Sequence, residues 1–343
     1  MMVKAPGVVK LLGEHAVVYG KLSVAIGINL YAKASARRTK GNVLRINASD
    51  LGIKGEFDAG MLEQIYSAYG ARKDLGSYVR AQTVQHELLP FATIAARLFK
   101  EFGVNPLGLD VSLSSEIPLK TGLASSAAIS TAFAVLLLKA SGANLPDEST
   151  IDVIRDGDRI VHLNENAGRI DVSTSFYGGY TSFSSEKGAN KEKVKARAKL
   201  LIIDTGPKKP TSETVGHVAE LYKADAAGTG AILEKINECS IKGLAAAREG
   251  DLKLLGRYMY EDQILLKSLG VSSEGLDEAV SLAREGKAYG AKLSGGGGGG
   301  IAIALVRGDA EELITRLKSR GFTVSIVKVA SKGARDYLKA GQS

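Results

Sequence analysis

Six consecutive glycines, Gly295 to Gly300, stand between Lys292-Leu293-Ser294 and Ile301-Ala302-Ile303-Ala304-Leu305. Ordering such a run is costly, about 1 kcal/mol per glycine relative to alanine in regular structure, which makes it an odd choice for a mere connector. A flexible linker is the competing reading, but the flanking segments have the sequence of packed elements. The run therefore predicts a glycine turn in close contact with a ligand, feeding an apolar strand.

A second small-residue segment, Pro118-Leu119-Lys120-Thr121-Gly122-Leu123-Ala124-Ser125-Ser126-Ala127-Ala128, opens the longest uncharged run, Gly122 to Leu138. Small side chains let backbone approach an anion. The helix that follows offers free N–H groups and a positive dipole end, and a serine hydroxyl can bind phosphate or its metal. A serine-capped core helix is the alternative. The adjacent Gly-Lys-Ser or Gly-Lys-Thr of the Walker pattern is absent, so the common P-loop architecture is not implied. The run also falls short of the ~20 apolar residues a bilayer requires, and it contains Ser125, Ser126, Ser130 and Thr131; it reads as a buried soluble helix.

The length of 343 residues suits two domains, at roughly 150 residues each. A composition of 45% hydrophobic and 24% charged residues excludes disordered, collagen-like and membrane-spanning classes. The net charge of +8 suits an anionic ligand or nucleic acid. Much of the surplus lies in Lys187 to Lys199, which has no interleaved aromatic residue and reads as a solvated loop, against nucleic-acid binding. The single cysteine, Cys239, cannot form an internal disulfide, and no secretion signal opens the chain; the expected compartment is the cytoplasm. His15, His86, His162 and His217 include no close pair at ligand spacing, which argues against zinc.

Strand signals mark Val8 to Leu12, Ser23 to Arg37, Val43 to Asn47, Leu109 to Ser114, Tyr180 to Phe183, Ala198 to Ile203 and Phe322 to Val329. Helical patterns mark Leu89 to Phe102, Thr150 to Asn164, Ser212 to Ala226 and Ala310 to Arg320. A further helical block spans Ala231 to Leu269 with breaks near Gly243 and Gly250. Helices mixed with hairpins predict an α+β fold with two domains.

Ala5-Pro6-Gly7, Gly13-Glu14-His15-Ala16-Val17-Val18-Tyr19-Gly20, the two small-residue loops, and Asp171 ahead of Gly178-Gly179 occur in an order that resembles the GHMP superfamily of small-molecule kinases. The first motif looks specifically like that of the mevalonate kinases. Met259-Tyr260 and Leu265 to Val271 resemble the segment before the third motif in their archaeal members. The resemblance implies a two-domain GHMP-kinase-like fold, residues 1–195 and 196–343, with the active site in the cleft between them. It places ATP along Lys120, Thr121, Gly122, Leu123, Ala124, Ser125, Ser126 and Ala127, with Gly296, Gly297 and Gly298 helping to close the site. Ser126 would be a ligand of Mg2+, Asp171 the catalytic aspartate, and Glu14, His15 and Thr211 substrate-side residues. The implied reaction is ATP-dependent phosphorylation of the 5-hydroxyl of mevalonate in isoprenoid synthesis. The implied partners are ATP and mevalonate, without nucleic acid or membrane, and with a homodimer left open. The alternatives are another GHMP kinase, acting on the mevalonate 3-hydroxyl, a phosphomevalonate or another small alcohol, or a ligand-binding regulator without catalysis.

Two positions depart from the family pattern. Val8 stands where the family carries a lysine, and Lys10, two residues on and so on the same strand face, is the expected replacement or else a solvent-facing lysine. The family's magnesium glutamate falls on Ile160 or Val161, neither able to hold a metal, which leaves Asp158 or Glu165 as substitutes. Lys120 and Ala124 also replace two glycines of the second motif.

Overall fold

A computed structural model describes residues 1–118, 121–164, 168–207 and 209–339. The first half alternates strands β1 (Met2–Leu12), β2 (Ser23–Arg38), β3 (Leu44–Ala48) and β4 (Ile53–Phe57) with helices α1 (Ala59–Gly70), α2 (Leu75–Ala81) and α3 (Leu89–Phe102). Strand β5 (Leu109–Ser115) follows. Helices α4 (Ser125–Ser141), α5 (Asp147–His162) and α6 (Arg169–Tyr177) come next, and β6 (Tyr180–Ser184) and β7 (Gly188–Glu192) complete this half. The sheet order is β4-β3-β5-β2-β6-β7, with β1 paired to β2. All pairings are antiparallel except β3 with β5.

The second half carries β8 (Lys199–Asp204), α7 (Thr211–Ala224), α8 (Ala226–Glu249), α9 (Leu252–Ser268) and α10 (Glu274–Glu285). After them come β9 (Gly290–Leu293), β10 (Ile301–Val306), α11 (Glu311–Ser319), β11 (Thr323–Lys328) and α12 (Asp336–Lys339). Its four strands form an antiparallel sheet in the order β11-β8-β10-β9.

Two cores follow from the period of the strands. On β8, Leu200 and Ile202 join the large core of the first sheet, while Leu201 and Ile203 face a second core with Leu266, Leu276, Leu313 and Leu317. Strand β10 divides the same way, Ile301, Ile303 and Leu305 on one side and Ala302 and Ala304 on the other. A strand buried on both faces reads as a continuous apolar run, as Leu200 to Ile203 and Ile301 to Val306 do. Helix α4, apolar on every side, is buried among β1, β2, α3, α5 and α6. That burial fixes where its N-terminus ends.

Two expectations are corrected. Lys187 to Lys199 is not loop throughout, because Gly188–Glu192 pairs with β6 as an edge strand. Its exposed Asn190 and Lys191 are the polar guard that an edge needs, and they disguise it as solvated loop. Gly243 does not break a helix either; it lies inside α8. A Cβ there would lie 2.3 Å from the Leu12 side chain, so the glycine lets α8 approach β1. Gly250, in the left-handed region at φ 87°, does end α8 as expected.

Candidate active site

The small-residue segment before α4 is positioned by β1 and by the turn into the helix. Val8 N–H donates to the Leu123 carbonyl at 3.0 Å, tying the loop to β1. A Cβ on Gly7 would lie 3.1 Å from that same carbonyl, so the close approach depends on glycine. Ala124 takes left-handed angles, φ 55° and ψ 43°, immediately before α4. No side chain caps the helix: Ser126 Oγ donates to Asp158 Oδ1 at 2.7 Å, and Ser125 Oγ lies 3.4 Å from Ser115 Oγ. The first N–H groups of α4 are therefore free of side-chain caps, the condition for binding an anion. Thr121 is half-buried, its Oγ1 donating to the Pro118 carbonyl at 2.9 Å, and Lys120 falls outside the described residues.

Asp171 sits in the first turn of α6, which starts after the left-handed Gly168. Its Oδ2 lies 2.9 Å from Lys10 Nζ, a pair with about a fifth of each side chain exposed. Burial works against the Lys10 charge, but the adjacent Asp171 carboxylate outweighs it and the pKa is raised, with smaller contributions from Glu14 and Asp158. Val8, in contrast, is buried against Ala25 and Ile170. The i, i+2 spacing thus brings Lys10 to the aspartate from a strand position two residues past the expected one.

Asp158 and His162, one turn apart on α5, meet Ser126. His162 Nε2 is 3.0 Å from Ser126 Oγ and 3.5 Å from Asp158 Oδ1. Its hydrogen bond to Asp158 raises its pKa, against the effect of burial. A Cβ built on Gly168 would lie 2.3 Å from Asp158 Oδ2 and 3.8 Å from Asp171 Cβ, so the two acidic residues flank one point. The sequence reading offered Asp158 as one of two substitutes for the missing glutamate; the other, Glu165, falls outside the described residues. His162 entered the sequence reading only in the argument against zinc, and its i+4 spacing from Asp158 was the available signal of the contact.

Glu14 and His15 close the opposite wall and are almost fully buried. Glu14 pairs with the buried Lys292. His15, at φ 61°, places Nε2 2.9 Å from the Gly296 carbonyl, while burial lowers its pKa and its Nδ1 is buried without a hydrogen-bond partner. Ser294 clamps the two halves of the chain: its Oγ accepts from Lys10 N–H at 2.9 Å and donates to the Lys10 carbonyl at 3.0 Å. Sequence reasoning did not single out Ser294, Lys292 or Asp262, although Lys292 and Ser294 directly precede the glycines.

The glycine run has a structural reason as well as a ligand reading. Five of its six residues have positive φ, and a Cβ at Gly297 would meet the Val271 carbonyl at 2.0 Å. Gly296 faces the start of α7, where Thr211 lies exposed with side-chain atoms 3.0 Å from a Cβ placed on that glycine. Gly178 and Gly179 serve the same end elsewhere: a Cβ on Gly178 would lie 2.3 Å from the Lys332 backbone, so the pair lets the C-terminal chain cross the end of α6.

Among the described residues no group of three or more His, Cys, Asp or Glu forms a metal cluster. Ser126 and Asp158 nevertheless supply one hydroxyl and one carboxylate in contact at the start of α4, which fits Mg2+, an ion that keeps several waters and takes one or two carboxylates plus substrate phosphates.

The fold and this arrangement are those of a small-molecule kinase class: the GHMP kinase N-terminal domain matches residues 90–179 and the GHMP kinase C-terminal domain residues 244–322. A mevalonate kinase of Pyrococcus horikoshii is 31% identical over 98% of this chain and 97% of its own length. The chain belongs to the mevalonate kinase family. The structure of the Methanococcus jannaschii mevalonate kinase superposes with a TM-score of 0.79 at 24% identity, covering 96% of this chain and 98% of that one. A Lactococcus lactis galactokinase, solved with galactose, has the same fold at a TM-score of 0.75 and 19% identity, with 97% of this chain and 94% of that chain covered. The fold alone therefore does not select the substrate.

Proposed function

We propose that this chain transfers the γ-phosphoryl group of ATP to the 5-hydroxyl of mevalonate, and that Lys10 and Asp171 face the acceptor. The observation that carries the reading is the convergence of an uncapped helix start, a lysine and a carboxylate: Ser126 at the head of α4 touches Asp158, and Asp158 flanks the same point as Asp171.

The triphosphate rests against the free N–H groups of α4, where the helix dipole favours negative charge. Asp171 orients the acceptor hydroxyl and accepts its proton as the new O–P bond forms. Lys10, held by Asp171 on its side chain and by Ser294 on its backbone, neutralises charge on the transferring group. Ser126 and Asp158 would hold Mg2+, which when bound neutralises phosphate charge. Positioning and charge neutralisation supply most of the rate in phosphoryl transfer, so the rigidity of α4 and β1 matters as much as any single group. Glu14, His15 and Thr211 form the substrate-side wall, and Gly296 to Gly298 the phosphate-side turn. We place the domain boundary between residues 195 and 196, since every strand of the first sheet precedes it and every strand of the second follows it. No described helix is long and apolar enough to cross a membrane, and we assign the chain to the cytoplasm.

Purified protein with ATP, magnesium and mevalonate should release ADP, and phosphorus NMR of the product should show a phosphomonoester on the primary carbon. Phosphate on the tertiary carbon, or turnover only with a phosphomevalonate or a sugar, reassigns the acceptor. Nucleotide binding without ADP release for any acceptor makes the chain a regulator.

A further inference from the structure

Helix α5 turns two donors toward the start of α4. Asp158 and His162, one turn apart, both reach Ser126: its Oγ lies 2.7 Å from Asp158 Oδ1 and 3.0 Å from His162 Nε2, and those two atoms are 3.5 Å from each other. The positions where the family pattern places a carboxylate are otherwise engaged. Ile160 is fully buried in a small core with Tyr69, Leu75, Tyr78 and Leu89, and Val161 is exposed. The helix offers an acid and an imidazole to Ser126 in their place.

A single nitrogen, Nε2, faces both Ser126 and Asp158. In a relay the imidazole stands between hydroxyl and carboxylate with one nitrogen toward each; here the three donors converge instead. Their separations match those of neighbouring ligands around a small divalent ion, about 2.9 Å for octahedral bonds of about 2.1 Å. Donors at i and i+4 are also the spacing by which one helix face holds a metal.

We propose that His162 is a third protein ligand of the divalent cation, beside Ser126 and Asp158, and that it turns the site toward a first-row transition ion, with Mn2+ preferred over Mg2+. The inference rests on the nucleotide reading of the α4 start given above and names the metal of that site. Mg2+ favours oxygen donors, whereas an imidazole nitrogen among oxygens favours transition ions, whose affinity for such sets rises from Mn2+ along the series. Of these, Mn2+ shares the octahedral habit of Mg2+ and its preference for carboxylate, which leaves the opposite half of the octahedron for phosphate oxygens and water. Asp158 is buried and His162 exposed, so the ring can shift to meet an ion without disturbing the core. A ligating imidazole is neutral, so the metal displaces any proton on the ring.

The test uses the full chain and a non-hydrolysable ATP analogue at pH ~8, where an ordinary imidazole is neutral. It reads nucleotide binding against the concentration of Mn2+ or Mg2+, corrected for each ion's affinity for the free analogue, and not turnover. Mn2+ should support half-maximal binding at a concentration at least about tenfold below that of Mg2+. His162→Ala should raise the Mn2+ requirement at least about tenfold and the Mg2+ requirement less than about threefold, which abolishes the preference. Pulsed EPR of the complex with Mn2+ and nucleotide should show nitrogen hyperfine coupling from a directly bound imidazole, lost in His162→Ala. The EPR measurement on the unaltered chain decides the question even if the variant does not fold. Absence of that coupling with Mn2+ and nucleotide bound, equal requirements for the two ions, or a preference that His162→Ala leaves intact overturns the inference while the nucleotide reading stands. No nucleotide binding with either ion overturns both.

Discussion

Lys10 Nζ and Asp171 Oδ2 lie 2.9 Å apart, although 161 residues separate them in sequence. The pair joins β1 to the first turn of α6, and it exists because Val8 points into an apolar pocket while Lys10 does not. A lysine displaced by two strand positions keeps the same face, so its flexible stem restores the charge at the site.

Lys10→Met should therefore keep the fold and lower kcat by about 10² to 10³, the usual loss when one charge-stabilising donor is removed. KM for both substrates should change far less, since the interaction grows as charge develops. Steady-state kinetics of the folded variant check this. Unchanged kcat would reduce Lys10 to a surface lysine.

Asp158→Asn should raise the magnesium concentration needed for half-maximal nucleotide binding by about 10- to 100-fold. The amide retains the contact with Ser126 Oγ but not the charge. Titrating magnesium against binding of a fluorescent ATP analogue measures this without turnover. An unchanged magnesium dependence would remove Asp158 from the metal site.

Much of this site was legible because its signals are local. The α4 segment announces a buried helix by its apolar run, and the small residues before it announce a loop that β1 approaches closely. Given the lysine that the family resemblance implies at position 8, the i, i+2 rule puts Lys10 on the same strand face. What was not legible depends on distant packing. Choosing between Asp158 and Glu165 requires knowing where the end of α5 lies against α4, and no pattern within the helix states that. Lys292 reads as an ordinary flank of a glycine turn until β9 is seen buried on both sides, with Glu14 beside its ammonium. Gly243 and the edge strand at Gly188–Glu192 misled because close approach and the polar guarding of an edge both borrow the residues of turns and loops. The glycine run was read as a turn feeding an apolar strand, and Ile301–Val306 is that strand, but the demand for glycine is explained in part by the Val271 backbone.

Ala124 holds a left-handed conformation at φ 55°, which costs an L-residue about 1–2 kcal/mol. Glycine removes that strain but adds about 0.4–1 kcal/mol of unfolded-state entropy. Ala124→Gly should be net stabilising, raising Tm by about 1–3 °C. Ala124→Val should lower Tm, because β-branching disfavours positive φ. Calorimetric scans of both variants check the signs, and a Tm fall for glycine would show that the methyl's packing outweighs the strain.

Asp262 is fully buried, with Oδ2 3.6 Å from Lys292 Nζ and 3.4 Å from Gly13 N, and with Oδ1 lacking a hydrogen-bond partner. Burial pushes its carboxyl up to about 7, opposed by Lys292 and reinforced by Glu14. An unfolded aspartate titrates near ~3.9. Between these two values the folded chain holds a proton that the unfolded chain has released, so the contribution of Asp262 to stability is full below pH ~4 and declines as pH rises, to be lost above about 7. Asp262→Asn never ionises and lacks this decline. In urea unfolding, the stability of Asp262→Asn relative to the wild type should rise between pH 4 and 7, by no more than about 1.4 kcal/mol per pH unit, and then level off. A gap that does not vary with pH would mean that Asp262 is ionised throughout, with Lys292 shared between two carboxylates.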